Sequence, residues 1–333
     1  MAAPCRDFVL QVKLTARCDL KCARCYNIPP NASSRPELGT GEWTRALQGA
    51  RDYFKCTGTA LHVHFIGGEP LLRPDLFELA GIFKGSARAN TTLVTNGYAL
   101  KDEMLPVIKG LFHAATVNMP ALDAKRFEDL RGEDCFEKIL GNVRGMVARK
   151  IPVALAMNVS KQNHGEVGKL VELASILGVR RVSFHRFIGT TRLDDWHLTP
   201  ELLREVIAHI KASWVEYPGM DIVTRDPVLA VALGLDLKPC VAGAGLLNIE
   251  PDGSVTACRY ITEVIGDITR QPISEILAGE GARKYSDAAR LRSRCSDCTS
   301  KARCRGCRAL AIHNGDLHGE DPLCHAVLGG GAP

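Results

Sequence analysis

A chain of 333 residues with a formal charge of +5 is long enough for one large domain and a smaller one. The composition is that of an ordinary soluble protein, and the mild positive charge suits an anionic substrate without indicating nucleic-acid binding. Met1 to Asp7 holds no signal-peptide core and no stretch reaches membrane-helix length. The thirteen cysteines therefore read as metal-cluster ligands in a reducing, cytoplasmic compartment, not as a disulfide framework.

The first element is an alternating apolar run, Phe8 to Leu14, read as a strand. At its end comes Cys18-Asp-Leu-Lys-Cys22-Ala-Arg-Cys25-Tyr26, placing three thiols where α/β barrels keep their chemistry. Three soft thiolates on a short loop suit an iron–sulfur cube with one open iron, or zinc with a fourth ligand from elsewhere. Ile28 to Pro36 is turn-rich. A helix is expected from Thr40 or Glu42 to about Phe54. Leu61 to Ile66 is a second strand, ending in Gly67-Gly68-Glu69-Pro70, and Pro74-Asp75 opens the next helix. Further strands are read at 91–97, 114–119, 153–159 and 181–188, with helical patterns between them; in 166–177, Val167, Leu170, Val171 and Ala174 share one face. Six βα units in series imply a parallel sheet with right-handed crossovers. Another helix runs from Pro200 to about Trp214, capped by Thr199. Residues 220–239 read as a connector. Seven cysteines follow from Cys240 onward, with a hairpin expected at Pro251-Asp-Gly253.

The C-x3-C-x2-C-aromatic loop and the GGEP turn together resemble the radical S-adenosylmethionine (SAM) enzymes, position by position at Cys18, Cys22, Cys25 and Tyr26. The resemblance implies an α/β fold, a partial (β/α)6 TIM-like barrel over residues 1–219, followed after the connector by a cysteine-rich iron–sulfur domain over 240–333. It also implies a [4Fe–4S] cluster whose open iron chelates the SAM amino and carboxylate groups. Reductive cleavage then yields a 5′-deoxyadenosyl radical that takes hydrogen from the substrate. Gly67 and Gly68 would let backbone approach SAM without a Cβ in the way, and Glu69, beside Pro70, would receive the methionine amine. Asn96, Asn118 and Asn158, at the ends of three successive strands, Arg131 in Asp129-Leu-Arg-Gly, and Arg186 in Phe184-His-Arg-Phe are the further SAM contacts it suggests. For each of these a helix cap or surface charge is the competing reading. His62 and His64 alternate with apolar residues; packing in the core is the favoured reading, and a place for one of them at the barrel mouth is the competing one.

The C-terminal pattern, Cys240, Cys258, Cys295-x2-Cys298-x5-Cys304-x2-Cys307 and Cys324, resembles the SPASM/twitch-type auxiliary-cluster domain. The two-residue spacer Arg305-Gly306 replaces the usual three. Cys304-Arg-Gly-Cys307-Arg-Ala is similar to a subgroup holding haem-pathway propionate decarboxylases and the mycofactocin peptide maturase. By that topology Cys295, Cys298, Cys304 and Cys324 hold one auxiliary [4Fe–4S] cluster. Cys240, Cys258 and Cys307 supply a second site with an open iron, a non-cysteine ligand, or no cluster. Zinc is the alternative for these pairs. Cys5, Cys56 and Cys135 match no motif and read as ordinary thiols.

The expected function is hydrogen abstraction leading to decarboxylation or oxidation of a small acidic metabolite, in cofactor or antibiotic biosynthesis. The alternative is maturation of a ribosomally made precursor peptide. The start of the chain about eight residues before the first strand, which leaves no room for a peptide-docking domain, favours the first. The expected partners are an anionic small molecule and a one-electron donor such as flavodoxin or ferredoxin, with no nucleic acid and no membrane.

Overall fold

The computed structural model describes residues 7–27, 35–189, 194–236 and 239–324. Cys5, most of the turn-rich stretch after Asn27 and the glycine-rich tail lie outside them. In chain order the elements are β1 (Asp7–Lys13), α1 (Thr40–Cys56), β2 (Ala60–Ile66), α2 (Leu76–Gly81), β3 (Ala89–Thr95), α3 (Leu105–Leu111) and β4 (Ala114–Asn118). Next come α4 (Ala124–Arg131), α5 (Phe136–Ala148), β5 (Val153–Val159), α6 (Val167–Ile176), β6 (Arg181–Arg186), α7 (Pro200–Glu216), β7 (Asp221–Val223) and α8 (Pro227–Ala232). The C-terminal part adds β8 (Leu246–Ile249), β9 (Ser254–Thr256), β10 (Val264–Asp267), α9 (Ile273–Ala278), α10 (Glu280–Ser286) and α11 (Arg308–His313).

All ten strands form one sheet, ordered β10-β9-β8-β1-β2-β3-β4-β5-β6-β7. β1 to β7 run parallel, so each crossover helix lies on the outer face and the sheet curls into an open barrel. Two features depart from the sequence reading. The 220–239 stretch holds β7, parallel to β6, and the short helix α8, whose N-cap Asp226 accepts from Val228 and Leu229. The second is at the other flank, where β8 pairs in parallel with β1 and carries the Pro251-Asp-Gly253 hairpin onto the barrel sheet. Burial explains that join: β1 is covered along Phe8 to Lys13, so its second edge needs a partner for its backbone groups.

The helix-facing side of the strands is apolar. Leu10, Val12, Val63, Phe65, Leu93, Val117, Leu155, Met157, Val182 and Phe184 are all fully buried. Against them α1 sets Trp43, Leu47, Ala50 and Phe54, the last ring 4.5 Å from Phe8. Each large side chain removed from water contributes about 1.5–3 kcal/mol. The concave side differs, carrying polar residues such as Gln11, Lys13, His64, Asn118 and His185.

Candidate active site

The three-cysteine loop leaves β1 at the carboxyl end of the sheet and is held on both sides. Lys21 and Ala23 donate backbone N–H groups to the carbonyls of Arg131 (3.1 Å) and Leu130 (3.0 Å), at the end of α4. Gly132 closes that helix in the left-handed conformation (φ 76°) directly beside Lys21. Cys18, Cys22 and Cys25 are free thiols, exposed or half-buried. Burial raises the Cys25 thiol and pushes Cys18 up to about 11, so both are protonated until a metal displaces the proton. Each sulfur has a donor near it: Asn96 Nδ2 at 3.7 Å from Cys18, Arg131 Nη1 at 3.5 Å from Cys22, and the Asn27 N–H at 3.4 Å from Cys25. Among the described residues no three His, Cys, Asp or Glu side chains converge on a single-ion site. Three soft thiols on one loop, each beside a donor, fit a cube that spreads its ligands over separate irons.

The GGEP turn lies against the same loop. Gly68 and Glu69 donate their N–H groups to the carbonyls of Thr15 and Arg17, each at 2.8 Å. A Cβ on Gly67 would stand 2.8 Å from the Thr15 carbonyl oxygen, and one on Gly68 would stand 2.2 Å from that of Arg17. Backbone packing within the chain therefore requires both glycines, whatever else approaches the turn. Glu69 is also tied into the chain. Its carboxylate is fully buried and accepts from Leu71 N–H (3.1 Å), Thr95 Oγ1 (2.7 Å) and Asn96 N–H (2.8 Å), joining the turn to the end of β3. Burial outweighs these bonds and lifts its pKa to about 7. Pro70 starts a buried 3-10 turn.

The remaining sequence-selected residues divide. Asn96, fixed by Glu69, reaches Cys18 and Asp19. Arg131 bridges Cys22 to the backbone carbonyl and Oδ1 of Asn118, so these two act as a unit beside the loop. Asn158 is half-buried at the end of β5 and paired in register with His185. Arg186 is paired within the chain. It is 2% exposed, with Nε on Asp226 (2.7 Å) and both terminal nitrogens on Asp321 (2.7 Å each). Burial opposes its charge, but the two aspartates hold its pKa well above the usual value. The side chain alternates onto the helix-facing side of β6 and meets the C-terminal segment there, which the motif alone did not reveal. His62 and His64 both occupy the concave side and are half-buried.

The C-terminal thiols fall into two neighbourhoods. Cys304 and Cys324, each pushed up chiefly by burial, to about 12 and about 11, feel each other's charge or that of Cys295 and Cys298. Cys258, raised by burial to about 11, and Cys307 both lie near Cys240, around a small core of Ala242, Ala257, Ile261, Tyr285 and Ala309. The two groups touch through the Cys240 N–H to Cys304 carbonyl bond (3.1 Å). The short spacer works because Arg305 and Gly306 both take positive φ (62° and 65°), and a Cβ on Gly306 would press on Asp321 at 2.9 Å. The chemistry of these donors fits iron–sulfur ligation as that of the first loop does.

The family model of the radical SAM superfamily matches residues 12–174, and that of the SPASM iron–sulfur cluster-binding domain matches residues 240–308. The chain belongs to the radical SAM superfamily, in its SPASM-containing subgroup. It is 28% identical to the AdoMet-dependent heme synthase of Methanosarcina barkeri, covering 94% of each chain. It is 27% identical to the PqqA peptide cyclase of Streptomyces rochei, over 94% of this chain and 88% of that one. Its fold is similar to that of Streptococcus suis SuiB bound to precursor peptide SuiA: TM-score 0.78 and 17% identity, over 96% of this chain and 76% of that one. A radical SAM domain binds a [4Fe–4S] cluster with SAM, and the SPASM domain binds auxiliary clusters.

In this radical SAM enzyme, the sequence reading missed the residues lining the barrel interior. Gln11 and Lys13 alternate inward on β1, Asn248 stands beside Gln11 on β8, and Lys13 pairs with Glu250 at 2.8 Å. Arg259 follows Cys258 and packs against both Tyr26 and Tyr260, its guanidinium 5.7 and 5.0 Å from their ring centres. The signal available for them was the polar alternation inside otherwise apolar strands. No helix among the described residues is long and apolar enough to cross a membrane.

Proposed function

We propose that the enzyme modifies a ribosomally made peptide by removing hydrogen from an unactivated carbon. The observation that carries this reading is the end-to-end likeness to PqqA peptide cyclases, which runs through both the barrel and the SPASM region. When bound, the first cluster and SAM supply the radical that takes the hydrogen. The chain's own part is positional. Cys18, Cys22 and Cys25 would hold that cluster, with Asn96 and Arg131 donating toward its sulfurs. Gly67, Gly68, Glu69 and Pro70 keep the loop in place, and Asn118 and Asn158 face the space where SAM would lie. Cys295, Cys298, Cys304 and Cys324 would hold one auxiliary cluster, and Cys240, Cys258 and Cys307 would contribute to a second site. On this reading the barrel spans 1–219 and the auxiliary domain 240–333. A one-electron donor such as flavodoxin or ferredoxin would reduce the enzyme.

A second reading, decarboxylation or oxidation of a small acidic metabolite, is favoured by the positive charge of Arg259 inside the barrel and by the likeness to the heme synthase. One experiment separates the two. Reduced enzyme and SAM are incubated with a precursor peptide encoded beside the gene, or with uronic-acid nucleosides and porphyrin propionates. 5′-Deoxyadenosine, CO2 and peptide mass are followed together. The peptide reading expects 5′-deoxyadenosine coupled to a peptide mass change and no substrate-dependent CO2. Release of CO2 from a small acid, with the peptide untouched, replaces it by the second reading.

A further inference from the structure

The barrel interior carries a charge, that of Arg259, with no carboxylate counter-ion among the described residues. Arg259 enters it from the hairpin region and packs against Tyr26 and Tyr260, 5.7 and 5.0 Å from ring centres that themselves meet edge-on at 5.5 Å. The two rings restrain the guanidinium, which also has a side-chain hydrogen bond with Tyr260, and its Nε edge is left for a planar bidentate partner. Its Nε is buried with no hydrogen-bond partner among the described residues, and no carboxylate pairs with it there. The nearby acids are already engaged: Glu250 by Lys13 and Asn248, Asp226 by Arg186. The charge reaches across the barrel. With burial as the larger cause, it helps keep His64 on β2 and His185 on β6 neutral, at about 3 and about 4. Arg225, after β7, adds a second positive charge toward His64.

Next to His64 in the register are Gln11 on β1 and then Asn248 on β8. Gln11 Oε1 and Asn248 Oδ1 are buried acceptors without a partner among the described residues. A buried unpaired acceptor costs about 1–3 kcal/mol, and so does the missing partner of a buried guanidinium nitrogen. Around His64 the interior thus presents a guanidinium with an unpartnered Nε and two unpartnered acceptors among the described residues.

We propose that this region is a substrate subsite that takes a carboxylate on Arg259 and a neighbouring N–H or O–H donor of the same molecule on Gln11 and Asn248. The inference rests on the reading that the reaction takes place inside the barrel, and it names the chemistry common to a peptide's acidic side chain and a sugar acid. Tyr26 directly follows the cluster ligand Cys25, so a carboxylate bound here brings its neighbouring carbons to the cluster side of the barrel. Charge-assisted bidentate pairing is the main source of selectivity, and the acceptors orient the rest.

The test is binding, which does not depend on turnover. Anaerobically reconstituted enzyme with SAM is titrated with N-acetylglutamate against N-acetylglutamine, and with D-glucuronate against its methyl ester. Calorimetry or ligand-observed NMR reads the affinities. Each acid is expected to bind at least about tenfold more tightly than its neutral partner. Arg259→Gln is expected to abolish that contrast, and Arg259→Lys to keep part of it, with iron content and SAM affinity unchanged. Equal binding of acid and neutral probe by the unmodified enzyme overturns the proposal whether or not the variants fold. So does a contrast that survives Arg259→Gln, or a loss of SAM affinity in that variant, which would give the guanidinium to the SAM carboxylate. Preference for one acid over the other identifies the source of the carboxylate. Failure to turn over any peptide leaves this contrast intact, so the two readings fail separately.

Discussion

Gly68 and Arg17 meet backbone to backbone, so closely that a Cβ on Gly68 would lie 2.2 Å from the Arg17 carbonyl oxygen. The turn after β2 therefore sets the position of the cysteine loop. Gly68→Ala is expected to displace that loop, costing about 1–3 kcal/mol in stability and most of the iron it would hold. Gly49→Ala, in the middle of α1 with nothing within 4 Å of the added carbon, is the control: it should leave iron unchanged and raise stability by about 1 kcal/mol. Iron content and thermal melts measure the difference; a Gly68→Ala protein with full iron and an unaltered melt would show that the loop is placed by something else.

Glu69 gives a prediction in pH. Its folded pKa of about 7 lies above the ordinary value of 4.5, so the folded state keeps a proton that the unfolded state has lost between those limits. Its contribution is present in full below about 4.5 and is lost as pH rises to about 7, by up to about 3 kcal/mol. Glu69→Gln removes this loss, although it disturbs one of the three accepted hydrogen bonds at every pH. The stability of the variant relative to the unmodified enzyme, read by denaturant titration without SAM, should therefore improve steadily from pH 4.5 to 7. A constant or worsening difference would contradict the assignment.

Arg186 ties β6 to α8 and to the segment before Cys324. Asp321 also accepts the Cys307 N–H at 2.9 Å. Arg186→Met leaves two buried aspartates unpaired and should cost about 3–5 kcal/mol. Iron should be lost from the C-terminal thiols first, while SAM affinity at the first site stays near its original value. Measuring iron stoichiometry and SAM binding on the same sample decides this; a selective loss of SAM binding would instead assign it a cofactor role.

Arg131 lies beside Cys22 and braces Asn118. A positive donor next to a cluster sulfur favours the more negative, reduced state. Arg131→Met should lower the reduction potential at the first site by tens of millivolts and slow SAM cleavage, with the C-terminal iron unaffected. Potentiometric titration followed by electron paramagnetic resonance reads it directly, and an unshifted potential would remove Arg131 from the neighbourhood of the cluster.

Much of this was legible in the sequence because local patterns carried it. The six strands from β1 to β6 and the helices α1, α6 and α7 fall close to where periodicity puts them, down to the Thr199 side chain accepting the Leu202 N–H. The hairpin at Pro251-Asp-Gly253 also forms, with Gly253 at φ 85°. What escaped was non-local. The four residues Leu246–Ile249 do not say which strand edge they join, and the three of Asp221–Val223 are too few for a period. The same limit explains Arg186. Alternation tells which residues share a face, but which face meets the C-terminal segment depends on Asp321, 135 positions away. Arg259 was hidden for a related reason: beside its neighbour Tyr260 it meets Tyr26, from the first third of the chain.

The central claim is that the chain keeps two separate thiol regions, one for SAM cleavage and one for auxiliary clusters. The most direct measurement is the iron content and 5′-deoxyadenosine production of the triple variant Cys18→Ala, Cys22→Ala, Cys25→Ala, purified and reconstituted without oxygen. The account predicts a brown protein that retains iron at its C-terminal thiols and releases no 5′-deoxyadenosine. A colourless variant without iron, a variant that still cleaves SAM, or an unmodified enzyme that carries zinc in place of iron would contradict it.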